Sequence, residues 1–510
     1  MRKYQRGQSM LMMLAFAGVL ASSMFFIFNS SQLLSERQQA KMLADHTAHA
    51  TATKQARLLN MNAYVNRAQV ANEMAIAQAV SLGSWTKYAS TLSRNVGVYL
   101  IWLPGIGTGL LNLSQQMESA NQYISPYIDG YAAAVYATQK AQNAMNVAAN
   151  IEFANFPRQF VRANNPDYSV LAIVDSSGYN SPFQILNQHT GNERRRMAEV
   201  LNSTKANSFI GGRKEKNSYP SIPFVVRPPF PFPGLKGSTL YGRVNIKKRG
   251  GAELVSLDEW KSVDTLSFHS NSKYLKWTWS GPRVRTQKIE MPLGYGSAAV
   301  SSTGKDSSWK VSGSKYRATN DQEKCASEFA RPLTGWALRF NKNGCLYPRK
   351  FSEKLSGSYG GSHGTNPIAT KLAQRADNRP TWDVKSDGRA RRVVGVPEYY
   401  ELKDLTKTDP VFNYTYGVSK DVSRLKIANK KSEVKVGSEL VDYADNMDSG
   451  KMYAMSRAQV YFQRPWELEV QKNTIQHESG SLFSPYWQVK ITDDVKLADK
   501  MLGSAQKRLH

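Results

Sequence analysis

The chain of 510 residues has only two cysteines, Cys325 and Cys345. So few exclude a disulfide-stapled scaffold, in which cross-links stand in for a hydrophobic core. In an oxidising compartment a lone pair twenty residues apart most simply forms one disulfide. It would close a turn-rich loop containing Arg331-Pro332 and Asn341-Lys342-Asn343-Gly344, and two separate buried thiols are the alternative. No histidine lies between the cysteines, so no metal site is expected there. A phosphate-binding loop is also missing: Gly304-Lys305 is followed by Asp306 and lacks the upstream glycine. No repeat of fixed period occurs. Acidic residues are scarce, 40 Asp and Glu against 67 Lys and Arg, for a net charge of +27. That balance suits acidic partners such as lipid headgroups, envelope polymers or nucleic acid. The basic residues do not form one block, however. Their densest clusters are Arg194-Arg195-Arg196, Lys247-Lys248-Arg249 and Arg389/Arg391/Arg392, so dispersed solvating charge is the plainer reading and nucleic acid is not the expected partner.

The longest absence is at the start, where no ionisable side chain lies between Arg6 and Glu36. Within that gap Met10 to Phe28 is an uncharged run of nineteen residues. As a helix it would span roughly 29 Å, the thickness of a bilayer's hydrocarbon core. Met10, Leu14, Gly18, Leu20, Phe25 and Phe28 mark this anchor. Arg2, Lys3 and Arg6 precede it, so the N-terminus is expected to stay cytoplasmic while the rest crosses. A cleaved signal peptide is the rival. The apolar run is too long for one, and it continues past Ala21-Ser22-Ser23 through Met24-Phe25-Phe26-Ile27-Phe28.

Neither Pro nor Gly interrupts the sequence from there to Gly83, and one helix is predicted to run on to about Asn95. Ala40, Ala44, Ala48, Ala52 and Ala56 recur every fourth position and lay a narrow stripe down one face, open to close approach by a neighbouring helix. Polar residues, among them Gln38, Gln39, Lys54, Gln55, Asn62 and Asn66, fill much of the remainder. The segment from Val96 to Leu113 is apolar but broken by Pro104, Gly105, Gly107 and Gly109, and reads as a turn rather than a second span. Helix then resumes from Ser114 to about Ile151, with a break expected between Pro126 and Gly130. Its alanines predict an antiparallel hairpin with the first helix.

Beyond Phe153, period-two runs rich in aromatic and β-branched residues predict strands at Tyr168–Val174, Tyr274–Trp279, Arg424–Ile427, Gln459–Phe462 and Tyr486–Ile491. Helices are expected around Glu193–Thr204, Asn366–Arg375 and Asp493–Leu509. The proline-rich Tyr219–Gly234 also holds Phe224, Phe230 and Phe232, and is expected as an extended strap over the β region. The fold class is therefore α+β, an N-terminal transmembrane helix continuing into a helical hairpin stem and then a β-rich domain. The divisions are 1–29, 30–152 and 153–510.

Three groups offer chemistry. Gly360-Gly361-Ser362-His363-Gly364 has the letters of a nucleophile elbow, with His477 downstream, but the preceding Leu355–Tyr359 is a poor buried strand. A flexible loop is the plainer reading. His46 and His49 beside Asp45 have metal-ligand spacing on a helix but read as ordinary stem polar residues. Trp277 and Trp279 near Arg283 and Arg285 could take a polyanion by stacking and charge; packed aromatics beside a solvated basic face are the plainer expectation.

Arg6-Gly7-Gln8-Ser9 before the apolar run, the helix from Thr53 to Leu82, Ala458–Pro465 and Leu482–Lys490 together resemble the TadE/TadG-like proteins of Flp (tight adherence) pilus assembly. The position matching the glutamate of processed pilins is Met12. Against the metal motif that some relatives carry, Asp175 and Ser177 fit and Tyr179 does not. The resemblance implies a non-enzymatic, single-pass inner-membrane protein with its C-terminal domain in the periplasm. It would act by packing against other pilus or secretion proteins, as a homo-oligomer or otherwise, without a cofactor. A tethered serine hydrolase or a polyanion-binding envelope protein is the alternative.

Overall fold

The computed structural model of the protein describes residues 5–101, 103–173, 185–204, 210, 222–225, 239–302, 366, 369–370, 372–373, 382–383, 394–403, 410–425, 433–436, 439–442, 451–465 and 480–492. Cys325, Cys345, Ser362, His363, Asp175, Ser177, Tyr179, the helix expected at 493–509 and most of the proline-rich segment lie outside these residues.

Helix α1 (Gln5–Tyr99) is unbroken over 95 residues, so the apolar run and the predicted stem are one element. Gly105, at φ 83°, turns the chain in the left-handed region that glycine takes without penalty. Helix α2 (Ile106–Asn121) then returns along α1. The segment expected as a turn to Leu113 is helical from Ile106, and glycines on the two helices permit their close approach: a Cβ on Gly97 would stand 3.0 Å from the Gly107 carbonyl oxygen. Helix α3 (Ile124–Asn164) follows. The break expected between Pro126 and Gly130 falls instead at residues 122–123. Pro126 lies in the first turn of α3, where its missing N–H leaves no helical bond unmade. The same helix, expected to end near Ile151, runs through Pro157 to Asn164.

After α3 come strands β1 (Tyr168–Ile173) and β2 (Leu186–His189), and helix α4 (Arg195–Thr204). Strands β3 (Ile222–Val225), β4 (Thr239–Arg249), β5 (Ala252–Ser256), β6 (Glu259–Thr278), β7 (Gly281–Ser301) and β8 (Trp382–Asp383) follow. The last are β9 (Tyr399–Leu402), β10 (Phe412–Asp421), β11 (Glu433–Val436), β12 (Glu439–Asp442), β13 (Lys451–Phe462) and β14 (Trp487–Thr492). Arg424, expected to open a strand, ends a 3-10 turn over Val422–Arg424. The predicted strands near 168, 274, 459 and 486 are present.

Two compact units divide the chain. The first takes Met1–Arg67, Ala141–His189 and Tyr399–His510; the second takes Ala68–Lys140 and Thr190–Glu398.

In the first unit, an antiparallel sheet in the order β1-β10-β13-β14 covers the stem. Period-two alternation along β10 puts Phe412, Tyr414, Tyr416 and Val418 on one face. The alanine stripe is buried against that face and α3. Ala48, Ala52 and Ala56 share a core with Phe153, Tyr414, Phe462 and Trp487, and Ala40 and Ala44 share another with Val161, Tyr168, Val418 and Met452. The stripe that predicted a helix partner thus receives the large aromatics of a sheet as well.

In the second unit the sheet order is β3-β4-β6-β7-β8, with β5 beside β6. The C-terminal part of α1 lies on β7 at Gly294 and Gly296. A Cβ on Gly296 would collide with the α1 backbone at Ser84 and Tyr88. The Leu-Gly-Tyr-Gly-Ser-Ala-Ala sequence of β7 is therefore a bed of small residues for the helix.

Candidate functional site

The most developed polar constellation of the first unit runs along the stem. Asn62, Asn66, Gln142 and Asn146 are buried between α1 and α3 and hydrogen-bond one another at 2.9–3.0 Å. Asn62 and Asn66 stand four residues apart on one helical face, as do Gln142 and Asn146, so the four amides meet in antiparallel register. Asn66 Nδ2 also donates to the carbonyls of Tyr400 and Leu482, at 2.9 and 2.7 Å. Asn60 acts towards β14 as a strand edge would: its Nδ2 donates to the Trp487 carbonyl and its Oδ1 accepts from the Trp487 N–H, each at 3.0 Å. Glu401 Oε1 accepts the N–H groups of Leu402 and Leu482, at 3.0 and 2.8 Å. Amides and a carboxylate here replace water for backbone that no strand pairs.

At the N-terminal end of the stripe Glu36 takes the place of an alanine. Its Oε2 pairs with Lys420 Nζ at 2.7 Å, and both side chains are buried. Lys420 is the next same-face residue after Val418 on β10, which carries it to the helix. The Tyr168 hydroxyl donates to the same carboxylate oxygen at 3.3 Å, and burial, then the Glu36 charge, pushes its ionisation up. Beside this group opens a cavity of about 460 Å³ lined by Arg158, Arg162, Asp167, Ser169, Arg424 and Lys451 among others. Ser169 and Ser419 hydrogen-bond each other at 2.7 Å, and hydrogen bonds from Ser423 hold Asp421 below its usual carboxylate range. Four cations, Arg158, Arg162, Arg424 and Lys451, and two carboxylates, Asp167 and Asp421, line the cavity, and Arg424 stands 3.6 Å from Asp167.

In the second unit α1 buries Glu73. Its Oε2 accepts from Trp260 Nε1 at 3.1 Å and from the Gly395 N–H at 3.0 Å, while Oε1 has no partner among the described residues. Burial raises this carboxyl to about 8 against the opposing pull of the two donors. Gly395, at φ 103°, presents its N–H from a conformation that favours glycine. His269 is buried with Nε2 2.8 Å from Asn366 Oδ1, and burial lowers it to about 4. Glu290 accepts the Ala369 N–H at 3.1 Å, filling an unpaired donor in the first turn of the short helical stretch there.

Of the residues expected to matter, the anchor positions Met10, Leu14, Leu20, Phe25 and Phe28 are all exposed, and nothing stands within 4 Å of a Cβ built on Gly18. His46 and His49 are exposed on the stem, and among the described residues no group of three His, Cys, Asp or Glu side chains could hold a metal ion. Trp277 and Trp279, expected to pack, are exposed.

No family model, no curated protein and no solved structure matches this chain.

The sequence reading missed the buried role of Gln55, Asn62, Asn66 and Glu73. A signal was available: residues 55, 62, 66, 69 and 73 follow the same three- and four-residue spacing as the alanines and share their face. Taking polar residues for the solvated face concealed it.

Proposed function

We propose that this chain is a membrane-anchored structural component of a Flp-type pilus or a related secretion apparatus, acting by protein packing. One observation carries the anchored, structural part. α1 passes without interruption from an exposed apolar segment into a stretch roofed by the unit's own sheet. By length and composition it is the one helix among the described residues fit to cross a membrane. A rigid helix fixed by Asn60, Asn66 and the Glu36–Lys420 pair joins anchor to body, which suits force or position transfer better than a tether would. Arg2, Lys3 and Arg6 support a cytoplasmic N-terminus and a periplasmic body in a two-membrane cell. The pilus setting rests on the resemblance of residues 1–90 and 455–490 to TadE/TadG-like proteins. The hydrolase reading depends on Ser362, outside the described residues, and no described feature favours it.

Crosslinking in native membranes, followed by identification of the attached proteins, tests the proposal. Pilus or secretion assembly components are expected, and their absence would overturn the setting. Deleting residues 9–28 should release the protein from the membrane fraction; continued sedimentation with membranes would overturn the anchor.

A further inference from the structure

The far end of the β6–β7 hairpin carries exposed aromatic, aliphatic and basic side chains. Among the described residues, strand β4 pairs with β6 as far as Thr239 with Tyr274. Beyond that point β6 and β7 continue as a two-stranded ribbon closed by the turn Thr278-Trp279-Ser280-Gly281. The register sorts the ribbon into two faces. Leu275 is opposite Val284 and Trp277 opposite Pro282, and directly opposed residues share a face. Tyr274 opposite Arg285 and Lys276 opposite Arg283 make up the other. Trp277 is 77% exposed, Val284 56%, and Trp279 at the turn fully so. Within the ribbon, residues 274–285, no acidic residue occurs, and the cations are Lys276, Arg283 and Arg285.

An exposed apolar face of this kind marks a binding surface. The segregation of the two faces decides what fits it. A single-stranded nucleic acid needs bases and phosphates met from the same side, by aromatic rings interleaved with cations. Within the ribbon, from Tyr274 to Arg285, the aromatic face has no charge and the charged face has one tyrosine; Lys273, on the same face as Leu275 and Trp277, lies at its base. A lipid surface meets both requirements at once. Tryptophan settles at the boundary of headgroup and acyl chain, long basic side chains reach the phosphates, and an amphipathic element lies in that plane with its apolar face down. The positive charge of Lys276, Arg283 and Arg285 then favours anionic lipid. We propose that the tip of the β6–β7 hairpin is a membrane-contacting element that inserts Trp277 and Trp279 into the interface of an anionic bilayer. This inference does not depend on the pilus setting.

The test uses the full chain held by its own anchor in lipid nanodiscs. Discs of phosphatidylcholine are compared with discs containing phosphatidylglycerol, each with and without brominated acyl chains that quench nearby tryptophan. A parallel arm mixes protein in phosphatidylcholine discs with separate phosphatidylglycerol vesicles and measures co-flotation, which distinguishes a second bilayer from the one holding the anchor. Bromine-dependent quenching in anionic discs, or co-flotation, is expected, and Trp277→Ser with Trp279→Ser should abolish it. Neutralising Lys276→Gln, Arg283→Gln and Arg285→Gln should weaken it on the order of tenfold or more. Since these side chains are exposed, circular dichroism should be unchanged. Three results would each overturn the proposal: no lipid contact in either arm, contact that survives both sets of substitutions, or binding to heparin or single-stranded DNA without lipid contact.

Discussion

Glu73→Gln isolates the thermodynamic cost of a buried carboxyl. In the folded protein Glu73 ionises near 8, against 4.5 for an unhindered glutamate. The unfolded chain therefore loses this proton first, and the proton bound in the fold is a source of stability. That contribution is fully present below the unfolded value and is lost as pH rises through the folded one. Between the two, stability falls by about 1.4 kcal/mol per pH unit, reaching about 4 kcal/mol near pH 8. Glutamine keeps an oxygen for Trp260 Nε1 and the Gly395 N–H, retains the shape and has no proton to lose. The variant should match the wild type near pH 5 and exceed its stability by several kcal/mol near pH 8. Urea unfolding of the full chain in detergent, followed by hydrogen exchange in β6 peptides, reads the second unit separately. Since the chain has two units, a single global midpoint would blur the effect. Equal pH slopes in variant and wild type would refute the reasoning, as would a glutamine variant weaker than the wild type at high pH.

Gly296→Ala should destabilise the second unit by about 1–3 kcal/mol or more, because the new methyl meets α1 backbone rather than a movable side chain; the unfolding midpoint of β7 peptides reads it. Asn66→Ala removes the donor to two buried carbonyls and should cost the first unit about 1–3 kcal/mol for each, measured by the urea midpoint of β14 peptides. Lys420→Met alone should cost about 3–5 kcal/mol by stranding the Glu36 carboxylate, while adding Glu36→Gln should recover much of the loss. A double-mutant cycle on thermal melts checks that pair, and additive losses would count against it.

Much of the local structure was legible in the chain. The length of the apolar run, the missing helix breakers and the four-residue alanine spacing led to α1, and period-two aromatic runs led to β1, β6, β13 and β14. These signals are local, since a helix face or strand face is set by residues a few positions apart. The correction at Pro126 shows the limit of a breaker rule: proline disfavours a helix by an amount that its place in the first turn can offset, and α3 runs through Pro157 as well.

The sequence by itself determined the anchor-length apolar helix, the stem's small-residue face and the aromatic strands. The tertiary structure alone decided that β1 pairs with β10 across some 250 residues, and that the helix's polar line lies inward with Asn66 on Tyr400 and Glu36 on Lys420. The reason is physical. Whether an amide or carboxylate sits in water or in a core depends on the partners waiting there, and these partners come from distant parts of the chain.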